Sequence, residues 1–310
     1  MKDKKVLIIL IIAAVIILVQ KLDLDLALKD KLDLGQVEGV SQEISDELKV
    51  IFFDVGQGDA IFIETPQQRQ ILIDGGEGNV ILEKLNECLD PSDREIDLII
   101  LTHPHSDHVS GLVEVLRNYQ VNEVWLTGVI HNSNVYLEFL NLIKEKEIPT
   151  KIVWSCGNDI IEECSDIVEI EDNLNFKVLY PLKNLIQQKV DNLNNSSIVL
   201  KLDYFNSSIL FTGDAELEAE ADMLANFELT DFEADILKIG HHGSSDASSQ
   251  EFISAVGSDY TVISVGANNS FDHPALRTIR RLERLGVEIL RTDERGDIKF
   301  IINEDEIKLK

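Results

Sequence analysis

LTHPHSDHVSG, residues 101–111, directly follows the apolar run IDLII at residues 96–100. The chain has seven histidines in 310 residues, and three of them, His103, His105 and His108, fall within this one loop together with Asp107. A continuous apolar run reads as a strand covered on both faces, and the residues after Ser106 take up helical spacing. The polar cluster therefore sits between a buried strand and a helix. His103 and His105 lie two apart on a segment stiffened by Pro104, so both rings can point the same way. Asp107 and His108 open the helix. Imidazole and carboxylate together suit borderline metals such as zinc, iron or manganese. Two such pairs suit two ions about 3.5–4 Å apart, the spacing of hydrolytic two-metal sites. A surface loop of ordinary polar histidines is the plain alternative, and the crowding speaks against it.

The same rhythm runs outward in both directions. KVIFFDV (49–55), AIFIET (60–65) and QILIDGG (70–76) read as three strands joined by glycine-rich turns, and NVILEKLNECL (79–89) as a helix. VNEVWL (121–126) reads as a strand and NVYLEFLNLIKEKE (134–147) as a helix, with an irregular stretch from 150 to 193. Strands and helices then alternate again from SSIVLKLDY (196–204) to a closing hairpin. Both halves run hairpin, helix, strand, then a polar His/Asp loop. Two sheets packed face to face with helices outside would bury every apolar run. Their loops would then meet across a cleft.

Those loops hold the remaining candidates. Asp214 in LFTGD (210–214) follows an apolar strand and two small residues, which frees its carboxylate at a strand end; alone, such a triplet is an ordinary turn or helix cap. His241 and His242 in IGHHGS (239–244) follow another buried run. Gly243 there allows a close backbone approach. His273 precedes Pro274 at a helix start, a place that favours anions; it reads as a contact to substrate phosphate or a proton-transfer group, or as a plain helix-entry histidine. Asp54 and Asp59 bracket the glycine turn DVGQGD.

THPHSDH resembles the H-x-H-x-D-H motif of the metallo-β-lactamase superfamily, and LIDGG, LFTGD and IGHHGS resemble its later motifs in the same order. FFDVGQGDAIFI (52–63), NNSSIVLKL (194–202), KIGHHGS (238–244), SFDHP (270–274) and RTDERGDI (291–298) resemble the hydrolase domain of ComEC-type DNA-uptake proteins and their stand-alone relatives. The resemblance spans roughly residues 48–302. It implies an α/β fold, the four-layer αββα sandwich, and up to two divalent ions, manganese or zinc. On that pattern His103, His105 and Asp214 hold the first ion. Asp107, His108, Asp214 and His241 hold the second, with Asp214 bridging. His242 is expected to touch substrate or support a ligand, with the reverse assignment of the two histidines left open. Asp74 is expected to orient a metal-loop histidine. Ser244 joins the substrate-side set.

One departure stands out. The superfamily places a further histidine before the strand leading to TGD, where this chain reads DNLNNSS. Asn194 or Asn195 is the substitute, as an oxygen ligand or a substrate contact. That leaves one ion short of imidazoles and leans the site toward manganese.

The bulk numbers bound the rest. There are 28 basic and 56 acidic residues, a net charge of -28, which disfavours a broad non-specific grip on nucleic acid but leaves room for a local basic groove or for metal ions that neutralise phosphates. The local exception is RTIRRLERLGVEILRTDER (277–295), which holds Arg277, Arg280, Arg281, Arg284, Arg291 and Arg295. Helical spacing puts Arg277, Arg281 and Arg284 on one face; such a face either carries a phosphate backbone or pairs with the acidic surface. Lys2, Lys4 and Lys5 precede an apolar stretch, Val6–Val19, shorter than the ~20 residues that span a bilayer comfortably. With no small-x-small cleavage site after it, residues 1–20 are expected to be an N-terminal membrane anchor. Residues 21–47 are then an acidic linker, or in part an edge strand, and 48–310 the hydrolase domain. The domain would lie outside the cytoplasm, tethered, or secreted if the segment is cleaved. Cys88, Cys156 and Cys164 form no C-x-x-C, so they read as isolated thiols, with a small Cys156–Cys164 loop as the alternative.

The expected activity is hydrolysis by a metal-activated water, oriented by Asp107 and assisted by His242 and His273. The first choice of substrate is DNA or another phosphodiester. Another ester, a lactone or a β-lactam is second, and a non-catalytic binding module on the same fold third. Nothing in the sequence points to a protein partner.

Overall fold

The computed structural model describes residues 46–157 and 166–310. The first half runs β1 (Leu48–Phe52), β2 (Ile61–Glu64), β3 (Gln70–Ile73), α1 (Val80–Cys88), β4 (Glu95–Ile100), α2 (Ser106–Asn118), β5 (Gln120–Leu126), α3 (Asn134–Glu145) and β6 (Thr150–Ile152). The second half opens with β7 (Ile167–Glu171), β8 (Leu174–Tyr180), β9 (Val199–Tyr204), β10 (Ser207–Phe211), α4 (Leu217–Asn226) and β11 (Ile236–Lys238). It continues through α5 (Gln250–Val256), β12 (Tyr260–Ile263), α6 (Leu276–Leu285), β13 (Glu288–Arg291), the single turn α7 (Thr292–Arg295), and the hairpin of β14 (Ile298–Ile302) and β15 (Ile307–Leu309).

These strands form two sheets, ordered β15-β14-β1-β2-β3-β4-β5-β6 and β13-β12-β11-β10-β9-β8-β7. In each, a run of antiparallel hairpins passes into a parallel run at the strand followed by a crossover helix: β3 to β6 in the first sheet, β10 to β13 in the second. Parallel pairs need helical crossovers, which is why the amphipathic segments fall where they do.

Strand periodicity sorts the side chains into three cores. Phe52, Ile63, Ile71 and Trp125 of the first sheet meet Phe176, Leu200, Phe211 and Ile236 of the second between the sheets. The Phe52 and Phe211 rings lie 6.1 Å apart across that seam. Leu72, Ile99 and Val124 point to the opposite face, under Leu85 of α1, Leu112 of α2 and Phe139 of α3. Leu210, Leu237 and Ile263 pack under Met223 of α4, Phe252 of α5 and Leu282 of α6. Burial on both faces accounts for the unbroken apolar runs, and the result is the helix–sheet–sheet–helix layering expected.

Two features set the position of the loops. A Cβ on Gly111 would lie 1.9 Å from Gly75 O, so α2 rests directly on the turn after β3. Gly75 N donates to His108 O and Gly111 N to Gly76 O, both at 2.9 Å. The C-terminal hairpin crosses back to the first sheet, where β14 pairs antiparallel with β1.

The expected anchor (1–20) lies outside the described residues, as does the linker (21–47) except for Asp46 and Glu47. Among the described residues no helix is long and apolar enough to cross a membrane. Cys156 is disulfide-bonded, against the reading of isolated thiols, whereas Cys88 is free; Cys164 lies outside the described residues.

Candidate metal centre

The strand ends named in the motifs converge on one edge. β4 runs into residues 101–105, and α2 begins at Ser106 with Asp107 in its first turn. There the helix dipole favours a carboxylate. The turn after β10 carries Asp214, whose N–H donates to Ser197 Oγ at 3.1 Å. After β11 the chain makes a 3₁₀ turn over Gly240–Gly243 in which His241 and His242 both have left-handed backbones, φ 49° and 52°. Such conformations cost about 1–3 kcal/mol each and persist only when surroundings enforce them. Here His241 N donates to Gly213 O and Ala275 N to Gly243 O.

Asp107, His108, Asp214 and His242 each offer one ligating atom, and the four atoms all lie within 4.8 Å of one another. Asp214 Oδ2 is 3.2 Å from His108 Nε2 and 3.4 Å from His242 Nε2. Asp107 Oδ2 is 3.2 Å from His242 Nε2. His103 Nε2 stands 3.8 Å from the same Asp214 oxygen and 3.0 Å from His105 Nδ1. Asp214 thus lies between the two histidine groups, where a bridging ligand has to be.

The far ring nitrogens fix which edge each histidine presents. His242 Nδ1 is 2.9 Å from the carbonyl of Ser264, so it carries a proton and Nε2 is the edge turned toward the centre, the one a metal would take. His108 Nδ1 donates to Asp74 Oδ2 at 2.8 Å. Asp74 also accepts from Thr102 N and Thr102 Oγ1, at 2.8 and 2.7 Å. With its one proton given to Asp74, the Thr102 hydroxyl accepts from His103 Nδ1 at 3.1 Å. Asp74 therefore orients two histidines and is turned away from the centre. Asp59 Oδ1 is 3.4 Å from His242 Nδ1, and its Oδ2 is 2.5 Å from the ammonium of Lys238, a lysine with no solvent exposure. Lys238 Nζ also donates to Gly213 O at 3.0 Å. Neither Thr102 nor Lys238 stood out in the sequence, because each is an ordinary residue at a strand end.

Electrostatics divides the imidazoles. Burial holds His103 well below the ordinary histidine range and lowers His105. Burial also opposes the charge on His108 and His242, but Asp214 and the carboxylates beside it outweigh that and raise both well above the ordinary range. For Asp214 burial is again overridden, here by His242 and His108, and its carboxyl sits well below the usual range. Burial, less strongly opposed, raises Asp74.

His241, expected as a ligand, is set further out. Its Nε2 is 3.9 Å from Asp214 Oδ2, while its Nδ1 is 3.0 Å from Glu216 Oε1. His242 occupies the inner place because its ring is the one directed at Ser264 and the buried Asp59. Glu216 was missed: glutamates are common in this acidic chain, and nothing local marks this one. It gathers Asn192 and Asn194, whose amides donate to it at 2.7 Å each. Asn194 Nδ2 also lies 3.4 Å from His241 Nδ1. Asn195 is directed elsewhere, accepting from Glu216 N and donating to Glu218 at the start of α4. Ser244 is buried, its hydroxyl accepting from Asp246 N. Asp54 accepts from Gly56 N and shapes the glycine turn, which presses on the metal loop so closely that a Cβ on Gly58 would lie 2.1 Å from Asp107 O.

Above the centre lies a cleft of about 250 Å³, lined by Gln57, His105, Asp107, His242, Phe271 and His273, among others. The His273 ring is 5.5 Å from that of His241 and is lowered by burial, so it is neutral near pH 7. Phe271, an exposed aromatic on the cleft rim, was not singled out in the sequence.

The donor set fits divalent metal. Among the described residues His108 Nε2, His242 Nε2 and Asp214 Oδ1 are buried without a hydrogen-bond partner. Buried polar atoms are seldom left so, and of the eight such side-chain atoms among the described residues these three fall together in the four-residue group. Residues 53–267 match the metallo-beta-lactamase superfamily. The chain is 30% identical over 274 residues to ComE operon protein 3 of Bacillus subtilis, and 25% identical over 264 residues to competence protein ComA of Neisseria gonorrhoeae. These alignments cover 83% and 85% of the chain but only 33% of each relative, so the chain spans about a third of their length. A shorter similarity, 32% identity over 89 residues, covers 27% of the chain and 28% of ribonuclease Z of Clostridioides difficile. A two-sheet sandwich with this His/Asp centre, matched over residues 53–267, places the chain in the metallo-beta-lactamase superfamily of metal-dependent hydrolases.

Proposed function

We propose that the chain is a metal-dependent phosphodiesterase acting on nucleic acid. The observation that carries this reading is the mostly buried Asp107–His108–Asp214–His242 group opening into a cleft walled by three further histidines, His105, His241 and His273. In this reading the four-residue group would hold the tighter ion, with His242 as its fourth protein ligand in place of His241. His103, His105 and Asp214 would hold a second, weaker ion. When bound, such ions acidify a water and neutralise developing negative charge. Asp107 would accept a hydrogen bond from such a water and orient it. His273 and His241 face the cleft as neutral or hydrogen-bonded imidazoles able to donate to phosphoryl oxygens. The relatives' printed names, a ribonuclease and a competence protein, support a phosphodiester over a lactam. Each site has only two imidazoles beside its oxygen donors, which favours manganese over zinc.

The test is elemental analysis of protein reloaded after chelation, together with a panel of bis(p-nitrophenyl) phosphate, oligonucleotides, lactones and a β-lactam. Up to two equivalents of metal and manganese-dependent cleavage of the phosphodiesters are expected. Loaded protein that cleaves a lactone or β-lactam and no phosphodiester would overturn the assignment.

A further inference from the structure

In a chain of net charge -28, exposed cations without partners are informative. Arg277, Arg280 and Arg284 are exposed on α6, and among the described residues none of them makes an ion pair or hydrogen bond. Their spacing, i, i+3 and i+7, sets them in one row about 10 Å long. Arg281, expected to share that row, instead turns inward. It is buried and donates to Ala247 O and Ser248 O, because Thr278 and Leu282 fix which side of α6 meets the core. The outward row borders a groove of about 670 Å³ also lined by Ser245, Asp246, Ser249, Gln250 and Glu251.

That groove and the metal cleft flank the same segment. Residues 271–276 lead from the cleft wall into α6, and Thr278 Oγ1 ties the helix to Ser244 O, two residues after His242. At the junction two large apolar side chains face solvent, Phe271 at 63% and Leu276 at 72% exposure. Phe271 stacks on His273 with ring centroids 5.9 Å apart and planes 23° from parallel. Its loop is rigid: Asn269 accepts from Phe271 N and His273 N and donates to Gly266 O and His273 O.

We infer that Phe271 and the Arg277–Arg280–Arg284 row form a track for single-stranded polynucleotide, with one base stacked on Phe271 beside the metal centre and the backbone running along α6. A lone ring at a cleft mouth can stack only on an unpaired base, and stacking platforms alternating with cations are how sequence-tolerant single-strand sites are built. A groove with three outward arginines, and with Asp246 and Glu251 also in its lining, fits a short stretch of strand, in keeping with an otherwise acidic surface that repels duplex. The inference rests on the phosphodiesterase reading for the identity of the site and adds the substrate's form and path.

The test measures binding apart from cleavage. Anisotropy of a labelled 12-nucleotide single strand is titrated with chelated full-length protein across a salt series. Arg277→Glu, Arg280→Glu and Arg284→Glu combined should weaken binding at least tenfold and flatten the slope of log K against log salt by about 0.7 per lost phosphate contact. Phe271→Ala should weaken it about tenfold, with Phe271→Trp restoring it. A duplex of the same length should bind more weakly than the single strand. Unchanged affinity and slope in the charge-reversed protein, with melting temperature preserved, would overturn the track, as would duplex bound as tightly as single strand. If wild-type protein cleaves bis(p-nitrophenyl) phosphate and the variants still bind the strand normally, only the track fails. If wild type cleaves no phosphodiester at all, the underlying reading fails instead.

Discussion

Lys238→Met is the most discriminating single change, because it removes one charge from a buried pair and leaves the other. Lys238 has no exposed surface and Asp59 has 1%, with Nζ 2.5 Å from Oδ2. Breaking such a pair from one side costs about 3–5 kcal/mol, most of it the uncompensated charge left behind. Methionine fills much of the lysine volume, so a cavity adds little. For a domain of this size the loss corresponds to a melting-temperature drop of roughly 10 °C. The effect carries a pH signature. Burial alone would raise the Asp59 carboxyl; Lys238 overrides it and holds the carboxyl below its ordinary value. A depressed carboxyl contributes stability above its unfolded value of about 3.9 and loses it as pH falls through the folded value. In Lys238→Met burial acts without the ammonium, the folded value moves above the unfolded one, and the penalty grows as pH rises through it. The gap between wild type and variant should therefore be widest near pH 7 and narrow toward pH 4. Urea unfolding of chelated protein, followed by circular dichroism at several pH values, measures it. Adding Asp59→Asn should recover more than half of the loss at pH 7. A loss below about 1 kcal/mol at neutral pH, or one that does not change between pH 4 and 7, would refute the argument.

Metal affinity should rise with pH: in the metal-free protein Asp214 and its neighbouring carboxylates hold protons on His108 and His242, and each proton displaced contributes up to about tenfold per pH unit. Manganese titrations at pH 6, 7 and 8 check this, and a pH-independent constant would show the imidazoles to be already neutral. Gly111→Ala should destabilise by about 1–3 kcal/mol, since its methyl would meet Gly75 O at 1.9 Å, and should also lower metal occupancy by lifting the start of α2; denaturation and elemental analysis read the two effects. Residues 6–19 are proposed as a membrane tether, so full-length protein should sediment with membranes and a form starting at residue 48 should not; recovery of full-length protein in the soluble fraction refutes the tether.

Layering and motif order were legible in the sequence for a physical reason. Strands such as IDLII and VISV are buried on both faces, so their apolar runs are continuous, while α2 and α3 show helical spacing. Pairing partners were less visible. That β14 closes onto β1, 250 residues away, depends on both edges being free, which no local pattern records. At the site, the ligand-type residues were visible because crowded histidines are improbable. Their supports were not. Lys238, Thr102 and Glu216 are unremarkable letters whose roles come from burial and from what faces them. Arg281 illustrates the same limit from the other side: the spacing of 277, 281 and 284 fits one helical face as well as 277, 280 and 284 does, and only the packing of Thr278 and Leu282 decides between them.

The arrangement beneath the metals explains why the centre can stand ready in the metal-free chain. Four aspartates, 59, 74, 107 and 214, crowd one mostly buried volume with a single lysine. Left ionised, they would repel each other strongly at low dielectric. The structure resolves this locally. Asp59 is matched by Lys238. Asp74 is raised by burial and satisfied by Thr102 and His108. Asp107 and Asp214 face the Nε2 atoms of His108 and His242 and favour a positive charge on both rings. A divalent cation held by these residues would take the place of that positive charge, so loading would leave the buried electrostatics nearly unchanged. Asp59 and Asp74, one from each of the turns flanking β2 and β3, keep the two rings aimed throughout, because their contacts lie on the Nδ1 side and take no part in the exchange.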